Sequence, residues 1–591
     1  MNSNHKNQKT SSNPPLRIIP LGGAGEVTKN MYIYEYGENQ IIVDCGIGFP
    51  KESAPGVDFL IPDITYLEKS HKKIHGIVIT HGHMDHFGGL PYILPRLPNI
   101  PIYGSKLTMA LAEGRSREFG VKNKFNIVED HLDLGPFSID LIHMTHSVPN
   151  CKHLLIKTPS ATVYHGSDFK IDLNPLDNKP PDLTRIAQVG KEGVDLLLTD
   201  CLGVEKRGFT PSERTVMQTL EKEIKNSSGR FILTTMSSSI SRIDMVIKTA
   251  AKYNRKVALM GRSIEQNIKM AVKHGFIKIP NNTLIKPQQI KHLPPHQVAV
   301  IIAGSQAQEG SSLYRVAAGE HRHLQLHSGD KVVLSSSFIP GNETNIYGLI
   351  DSLFEQEVDV VYPDIADKPL HVTGHGHRGD LTLLLRLIQP KNIIPVGGEI
   401  RHARLYQKMA VQLGYQSKQI HIIDTGQSVD VSHNSFRLGK KIPSKNVYVD
   451  GLGIGDIGLT VLRDRQTMSK HGIILALVPV DSKTSQLVGK PEIITRGFVY
   501  AKESQKLIKR TEEQVAQILK GNRKAHLNNP TFIKDKIENV FEAWSSHGTL
   551  FKQANDKFEI ILRDIKEFLV GLNKKFIDIP YETKVWVAQF K

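Results

Sequence analysis

Cysteine is nearly absent from this chain, with three residues in 591, at Cys45, Cys151 and Cys201. Three scattered thiols offer neither a disulfide framework nor a CxxC zinc ribbon, and they suit a reducing cytoplasm. Long apolar runs are also missing. None approaches the roughly 20 residues needed to cross a bilayer, and the polar stretch from Met1 to Pro15 lacks the apolar centre of a secretory signal, so it reads as a flexible tail. No repeat of about 20 to 50 residues is visible. Acidic residues are in deficit, 59 against 75 Lys and Arg, for a formal net charge of +16. Such a surface attracts polyanions, nucleic acid foremost. With 39% hydrophobic residues over 591 positions, the chain has material for about three separate cores.

What is present is concentrated at one point. His81-Gly82-His83-Met84-Asp85-His86 packs four strong metal-ligand side chains into six residues. The preceding Gly76-Ile77-Val78-Ile79-Thr80 is short, apolar and β-branched, which predicts a buried strand, and Gly82, Gly88 and Gly89 punctuate the turn after it. Ligands at a strand's end face an open mouth. Imidazole nitrogens and a carboxylate suit Zn2+ or Mn2+, and the spacing lets His81 and His83 converge on one ion while Asp85 and His86 face another. Paired ions are hydrolytic chemistry. A lone histidine usually has only a solvated or structural role, but the complete HxHxDH string does not fit that reading.

Two further candidates lie downstream, in an order that resembles the metallo-β-lactamase fold. His146 follows a strand at Ile139 to Ile142 and can complete the first ion's set. Asp168 closes another strand and can bridge the two ions. From there the likeness narrows. Ile18-Ile19-Pro20-Leu21-Gly22-Gly23-Ala24-Gly25-Glu26 with Asn30-Met31, Val43-Asp44-Cys45-Gly46, Asp200 after Leu196-Leu197-Leu198-Thr199, Gly208-Phe209-Thr210-Pro211-Ser212-Glu213, Gly304-Ser305-Gln306, Ser335 through Glu343, and Thr373-Gly374-His375-Gly376 together resemble ribonuclease J. That family belongs to the β-CASP group of metallo-β-lactamase nucleases, and the resemblance runs from about Arg17 to the C-terminus.

The resemblance implies an αββα sandwich with an inserted β-CASP α/β domain and a small C-terminal α/β domain. It implies a metal-dependent ribonuclease acting 5′ to 3′, with some endonucleolytic activity, on single-stranded, 5′-monophosphorylated RNA. One or two Zn2+ ions, with Mn2+ or Mg2+ as alternatives, would be held by His81, His83, Asp85, His86, His146 and Asp168. Catalytic roles would fall to Asp85, which can orient the water, and to His375, set in charge and tautomer by Asp200. Thr373, Gly374, His375, Gly376, Ser335, Ser336 and Ser337 would surround phosphate, with Arg262 and Ser263 as nucleotide contacts. A homodimer or homotetramer is implied, and no membrane partner. One departure stands out: Val396-Gly397-Gly398-Glu399 has glycine where that family usually carries a last ligand histidine. His402 or His377 can be considered as substitutes, although both read as basic-loop residues. Two other readings remain open on the sequence: an RNA-binding subunit with little activity, and a hydrolase of small thioesters or lactams.

The pattern along the chain sets the expected boundaries. Residues 1–15 form the tail and 16–209 the first part of the metallo-β-lactamase domain. An inserted domain spans 210–369, with parallel strands at Arg230 to Thr234, Lys256 to Leu259, Gln297 to Ala303 and Lys331 to Leu334, and helices at Ser239 to Tyr253 and Ser263 to Lys273. The first fold resumes over 370–438, a basic linker region covers 439–469, and 470–591 is the last domain. Within the linker, Gly453-Ile454-Gly455-Asp456-Ile457-Gly458 matches a dinucleotide GxGxxG loop, but Leu459-Thr460-Val461-Leu462 reads as extended where a helix is required. The last domain is expected to contain a strand from Ile473 to Val480, amphipathic helices carrying Ile533 to Trp544 and Phe558 to Leu569, and a terminal strand from Lys584 to Phe590.

Overall fold

A computed structural model describes residues 13–50, 54–338, 342–451, 453–455, 458–471, 473–479, 487–496 and 505–520. The chain divides into two compact units, one running essentially to residue 456 and the other containing 457–591. The helices expected at 533–544 and 558–569, the strand expected at 584–590 and the tail up to Ser12 lie outside the described residues.

The first unit begins with two sheets packed face to face. The eight-stranded sheet runs, edge to edge, through Ser435–Lys441, Gln427–Ser432, Leu16–Gly22, Met31–Tyr36, Asn39–Val43, Lys73–Ile79, Ile102–Gly104 and Phe125–Ile127. The six-stranded sheet runs through Asn392–Val396, Leu196–Asp200, Thr162–Gly166, Cys151–Lys157, Phe137–Met144 and His131–Leu134. Both are covered on both faces, which explains their continuous apolar runs. Leu196, Leu198 and Ile394 point into the core between the sheets, beside Val43, Val78 and Leu154. Leu197 and Ile393 point the other way, onto Leu381, Leu384, Tyr406 and Met409 of the covering helices. This is the expected αββα sandwich.

The insertion is a six-stranded sheet, parallel throughout, in the order Leu284–Ile285, Lys256–Met260, Val298–Ile302, Phe231–Thr234, Lys331–Leu334 and Asp359–Val361. The chain leaves the sandwich after Leu196–Asp200 and returns to the neighbouring parallel strand Asn392–Val396, with Asp200 opposite Val396. The chain thus departs at the Asp200 end of one strand and re-enters its neighbour from the opposite end, at Asn392.

Buried charge ties the insertion to the sandwich. Asp380 accepts the Ile171 N–H through one oxygen, and the N–H and hydroxyl of Thr210 through the other. Arg242 donates three times to Glu213, at 2.8, 3.0 and 3.3 Å, and also to the Ser335 carbonyl and His371 Nδ1. Lys170 Nζ, fully buried, lies 3.9 Å from Glu213 and 3.8 Å from Asp172.

Several expectations need correction. Pro14, assigned to the tail, is docked, its carbonyl accepting from the Ser160 hydroxyl. The basic linker is partly sheet. Gly439, Lys440 and Lys441 belong to Ser435–Lys441, an edge strand, where lysines discourage pairing with other chains. Val447–Asp450 pairs with Phe59–Ile61. Leu459-Thr460-Val461-Leu462 is not extended but opens the helix Leu459–His471, in which Val461 is exposed and Leu462 buried. Thr460 and Val461 are β-branched but exposed, so their type does not set the backbone here. The glycine pattern begins instead in an antiparallel hairpin, Val447–Asp450 with Gly453–Ile454, and not in a parallel βα unit.

In the second unit, Ile473–Leu477 pairs antiparallel with Glu492–Arg496, and the helix Gln505–Lys520 buries Val515 and Leu519. The expected strand to Val480 is described only as far as Leu477. Among the described residues, no helix is long and apolar enough to cross a membrane.

Removing Arg242 leaves the Glu213 carboxylate without its hydrogen-bonded cation, with only Lys170, 3.9 Å away, to offset its charge. Arg242→Met should therefore cost about 3–5 kcal/mol in urea denaturation; a loss under about 1 kcal/mol would show that the pair does not hold the junction.

Candidate metal centre

Strand ends supply the candidate ligands. Lys73–Ile79 delivers His81, His83, Asp85 and His86; Phe137–Met144 delivers His146; Thr162–Gly166 delivers Asp168; Leu196–Asp200 ends on Asp200. The loop after Asn39–Val43 runs against the His81–His86 segment, Cys45 and Ile47 donating to the His86 and Met84 carbonyls. Glycine is required at 46, where a Cβ would sit 1.6 Å from the Asp85 carbonyl oxygen.

Three ring nitrogens converge. His83 Nδ1 is 3.1 Å from His81 Nε2 and 3.0 Å from His146 Nε2. Asp168 Oδ2 lies 3.3 Å from His86 Nε2, 3.9 Å from His81 Nε2, 4.0 Å from His146 Nε2 and 3.9 Å from His375 Nε2. His81, His83, His146 and Asp168 form one group of donors within 4.8 Å of one another, Asp85, His86 and Asp168 a second, and Asp168, Asp200 and His375 a third. Every residue expected from the sequence to bind metal is thus brought to one place. His83, Asp85 and His375 remain partly exposed while the others are buried, so the mouth opens on their side.

The outward nitrogens fix the inward ones. His86 Nδ1 donates to Asp44 Oδ2 at 2.7 Å, His146 Nδ1 to the Gly374 carbonyl at 2.7 Å, and His375 Nδ1 to Asp200 Oδ2 at 2.7 Å. His81 Nδ1 lies 3.1 Å from the Thr80 hydroxyl, which itself contacts both Asp44 oxygens. With Nδ1 so engaged, each Nε2 faces the cluster, as ligation requires. Asp44, held at φ +61, therefore orients two of the rings. Asn30 lies 3.2 Å from His86 Nε2 and donates to the Asp85 carbonyl.

Charge follows the same plan. Burial lowers His81, His83 and His146, reinforced by the neighbouring imidazoles, with His83 pushed down to about 3, so these rings are neutral donors at neutral pH. Burial also opposes charge on His86, but Asp168 and Asp44 outweigh it and raise the ring well above its ordinary value. Asp168 is held well below the carboxylate range, its desolvation outweighed by His86 and His375. Burial raises Asp85 and Asp200. His375 resists desolvation because of Asp200 and Asp168, and rises to about 9. Neutral imidazoles facing one another around an ionised carboxylate are a donor set that fits a cation.

The phosphate candidates fare unevenly. Ser335 is not free, since its buried hydroxyl donates to the Leu370 carbonyl. Ser336 is buried with its hydroxyl unpartnered among the described residues, and Ser337 is exposed. The loop Thr373 to Gly376 is largely occupied in bracing the centre: the His375 N–H goes to Thr373 Oγ1, the Gly376 N–H to the Phe169 carbonyl, and the Gly374 carbonyl to His146. Arg262 and Ser263 are exposed at the start of the helix Arg262–Lys273, on the same strand-end edge of the parallel sheet as Ser335 to Ser337. His402 is not a basic-loop residue. It is buried in the helix Ile400–Gln412, its Nδ1 accepting from the Glu399 N–H and its Nε2 3.6 Å from Glu205. His377 sits at the start of Arg378–Ile388, its N–H on Thr210. Neither belongs to a donor group among the described residues. Sequence reasoning gave no role to Asp44, Thr80, Asn30 or Ser147, whose hydroxyl is 3.3 Å from His83 Nε2. The one available signal was an aspartate directly after an apolar strand.

Comparison with known proteins agrees with this geometry. Residues 24–206 match the metallo-beta-lactamase superfamily, 228–353 the ribonuclease J beta-CASP domain and 460–549 the ribonuclease J C-terminal domain. Ribonuclease J 1 of Streptococcus pyogenes is 38% identical, covering 84% of this chain and 88% of that protein. The chain belongs to the ribonuclease J family. Ribonuclease J of Thermus thermophilus is also 38% identical, over 83% and 86% of the two chains, and ribonuclease J2 of Bacillus subtilis 36%, over 86% and 92%. A crystal structure of a protein of unknown function from Enterococcus faecalis shares the fold, with a TM-score of 0.51 at 14% identity over 70% of this chain and 100% of that one.

Within this ribonuclease J family member, Asp44→Ala should weaken cation binding about 10- to 100-fold in a competition titration; unchanged affinity would show that Asp44 does not set the rings. In cation-free protein, NMR titration should place His375 near 9, so this ring's stabilising contribution is complete below about pH 6.5 and lost as pH rises through 9. Asp200→Asn should lower that value; no change would contradict the pairing.

Proposed function

We propose that this chain is a metal-dependent ribonuclease that hydrolyses single-stranded RNA, working 5′ to 3′ from a 5′-monophosphorylated end, with endonucleolytic cleavage as a second mode. The observation that carries this is the joint presence of ordered His/Asp donor groups and a parallel insertion whose strand Lys331–Leu334 runs into Ser335, hydrogen-bonded to Leu370 of the segment that leads to His375. The net charge of +16 favours a polyanionic substrate over a small thioester or lactam. A binding-only subunit is disfavoured by the intact first donor group.

A phosphodiester resists attack because its oxygens are anionic and its leaving alkoxide is poor. Zn2+, with Mn2+ or Mg2+ as alternatives, would be held by His81, His83, His146 and Asp168 on one side and Asp85, His86 and Asp168 on the other. When bound, such cations polarise the phosphate and lower the pKa of water from 15.7 towards about 7. The remaining work falls to side chains. Asp85, partly exposed at the mouth, accepts a hydrogen bond from the attacking water and aims it. His375, charged at neutral pH and fixed by Asp200, can hold a non-bridging oxygen and pass its Nε2 proton to the departing 3′ oxygen. Ser336, Ser337, Arg262 and Ser263 are the candidates for holding the 5′ phosphate and its nucleotide. Ser335 is tied to Leu370, and the Thr373 to Gly376 loop braces the metal centre.

Purified protein should release mononucleotides from 5′-monophosphorylated single-stranded RNA in the presence of Zn2+ with Mg2+ or of Mn2+. Asp168→Ala should lower the rate by at least about 100-fold. Intact RNA under all these conditions, with a related ribonuclease J active alongside, would refute the reading.

A further inference from the structure

The donor groups are unequal. His81, His83, His146 and Asp168 make a set of three imidazoles and a carboxylate, whereas Asp85, His86 and Asp168 make a set of one imidazole and two carboxylates, one of them shared. The second group also faces a gap. Gly397 sits at φ +65 with its N–H on the Gly23 carbonyl at 2.8 Å. A Cβ there would lie 3.7 Å from Asp168 Oδ1 and 3.7 Å from Asp200 Oδ1, with nothing else nearer than 4 Å among the described residues outside its chain neighbours. A side chain at this point would enter the cluster beside the shared carboxylate, and none is there. The neighbouring donors are spent elsewhere: Glu399 caps its helix and pairs with Arg401, and His402 is turned to Glu205.

Donor chemistry then separates the two positions. Four protein donors, three of them neutral imidazoles, saturate a tetrahedral ion and suit Zn2+. An oxygen-rich, incomplete set with room for water suits a hard ion that keeps part of its hydration, such as Mn2+ or Mg2+. We infer that the two positions take different cations: a retained Zn2+ at His81, His83, His146 and Asp168, and an exchangeable, partly hydrated Mn2+ or Mg2+ at Asp85, His86 and Asp168, open towards Gly397. The inference rests on reading these groups as a paired cation site. Its consequence is an enzyme whose second ion follows the ambient supply while the first stays in place.

Metal counting and electron paramagnetic resonance test it on the full chain, without reference to turnover. After exhaustive dialysis against metal-free buffer, mass spectrometry should find one zinc per chain. Added Mn2+ should then occupy one further site without expelling that zinc. Loss of even an outer partner of a metal site costs about 10- to 100-fold in affinity, so supplying a direct ligand with Gly397→His should tighten Mn2+ binding at least about tenfold and raise retained zinc to two per chain. Histidine is among the residues that tolerate this backbone region. Gly397→Asn, equally tolerant of it, offers an amide oxygen and should tighten Mn2+ binding in the same direction. Two retained zincs in the unaltered protein, displacement of zinc by Mn2+, or unchanged Mn2+ affinity in a folded Gly397→His would each overturn the inference. Should both variants fail to fold, the zinc count and Mn2+ titration of the unaltered protein decide it alone. Failure to cut RNA alongside the expected metal counts would refute the proposed function and leave this inference standing.

Discussion

An imidazole can serve a cation only if the correct nitrogen is free and aimed, and that choice is made on the far side of each ring. Here the far side is always engaged: Asp44 for His86, Thr80 for His81, the Gly374 carbonyl for His146 and Asp200 for His375. Asp44, which also holds Thr80, and Asp200 and Gly374 come from strands and loops remote in sequence from the rings they serve, so the centre exists only when both sheets and the returning segment are assembled. The αββα sandwich is the means of bringing them together.

Burial gives this arrangement its electrostatic character. Desolvation keeps His81, His83 and His146 neutral, while the same low-dielectric setting strengthens the pull of Asp168 and Asp200 on His86 and His375. In the cation-free protein two populations of histidine result: His81, His83 and His146 are ready to donate lone pairs, while His86 and His375 carry a proton, which His86 gives up on ligation. The insertion is locked to this region through Asp380, Arg242 on His371 and Lys170 beside Glu213, so the loop carrying Asp168 and the strand end at Ser335 share one set of buried contacts.

Much of the centre was legible in the sequence because its chemistry is local there. The HxHxDH run follows an apolar strand, and His146 and Asp168 also close strands, so periodicity alone placed them at sheet ends. Partners were not legible. Asp44 and Thr80 are common residue types whose role depends on a contact across 36 positions. Ser335 was misjudged because a hydroxyl in a serine run looks free, whereas burial commits it to Leu370. His402 was misjudged because a charged neighbourhood suggested a loop, whereas it lies inside a helix against Glu399 and Glu205. The helix at Leu459 was missed because β-branched residues dominated a four-residue window, and the tail and linker limits moved because Pro14 and Lys440 are held by backbone contacts that composition does not encode.

The central claim is that ring nitrogens fixed from behind converge on one cation position. Anomalous diffraction at the zinc edge, on crystals of the protein as purified, tests it most directly. A peak about 2.0–2.2 Å from His81 Nε2, His83 Nδ1, His146 Nε2 and an Asp168 oxygen is the expected result. A peak contacted by fewer than three of these four groups, or zinc bound only elsewhere on the chain, would contradict it.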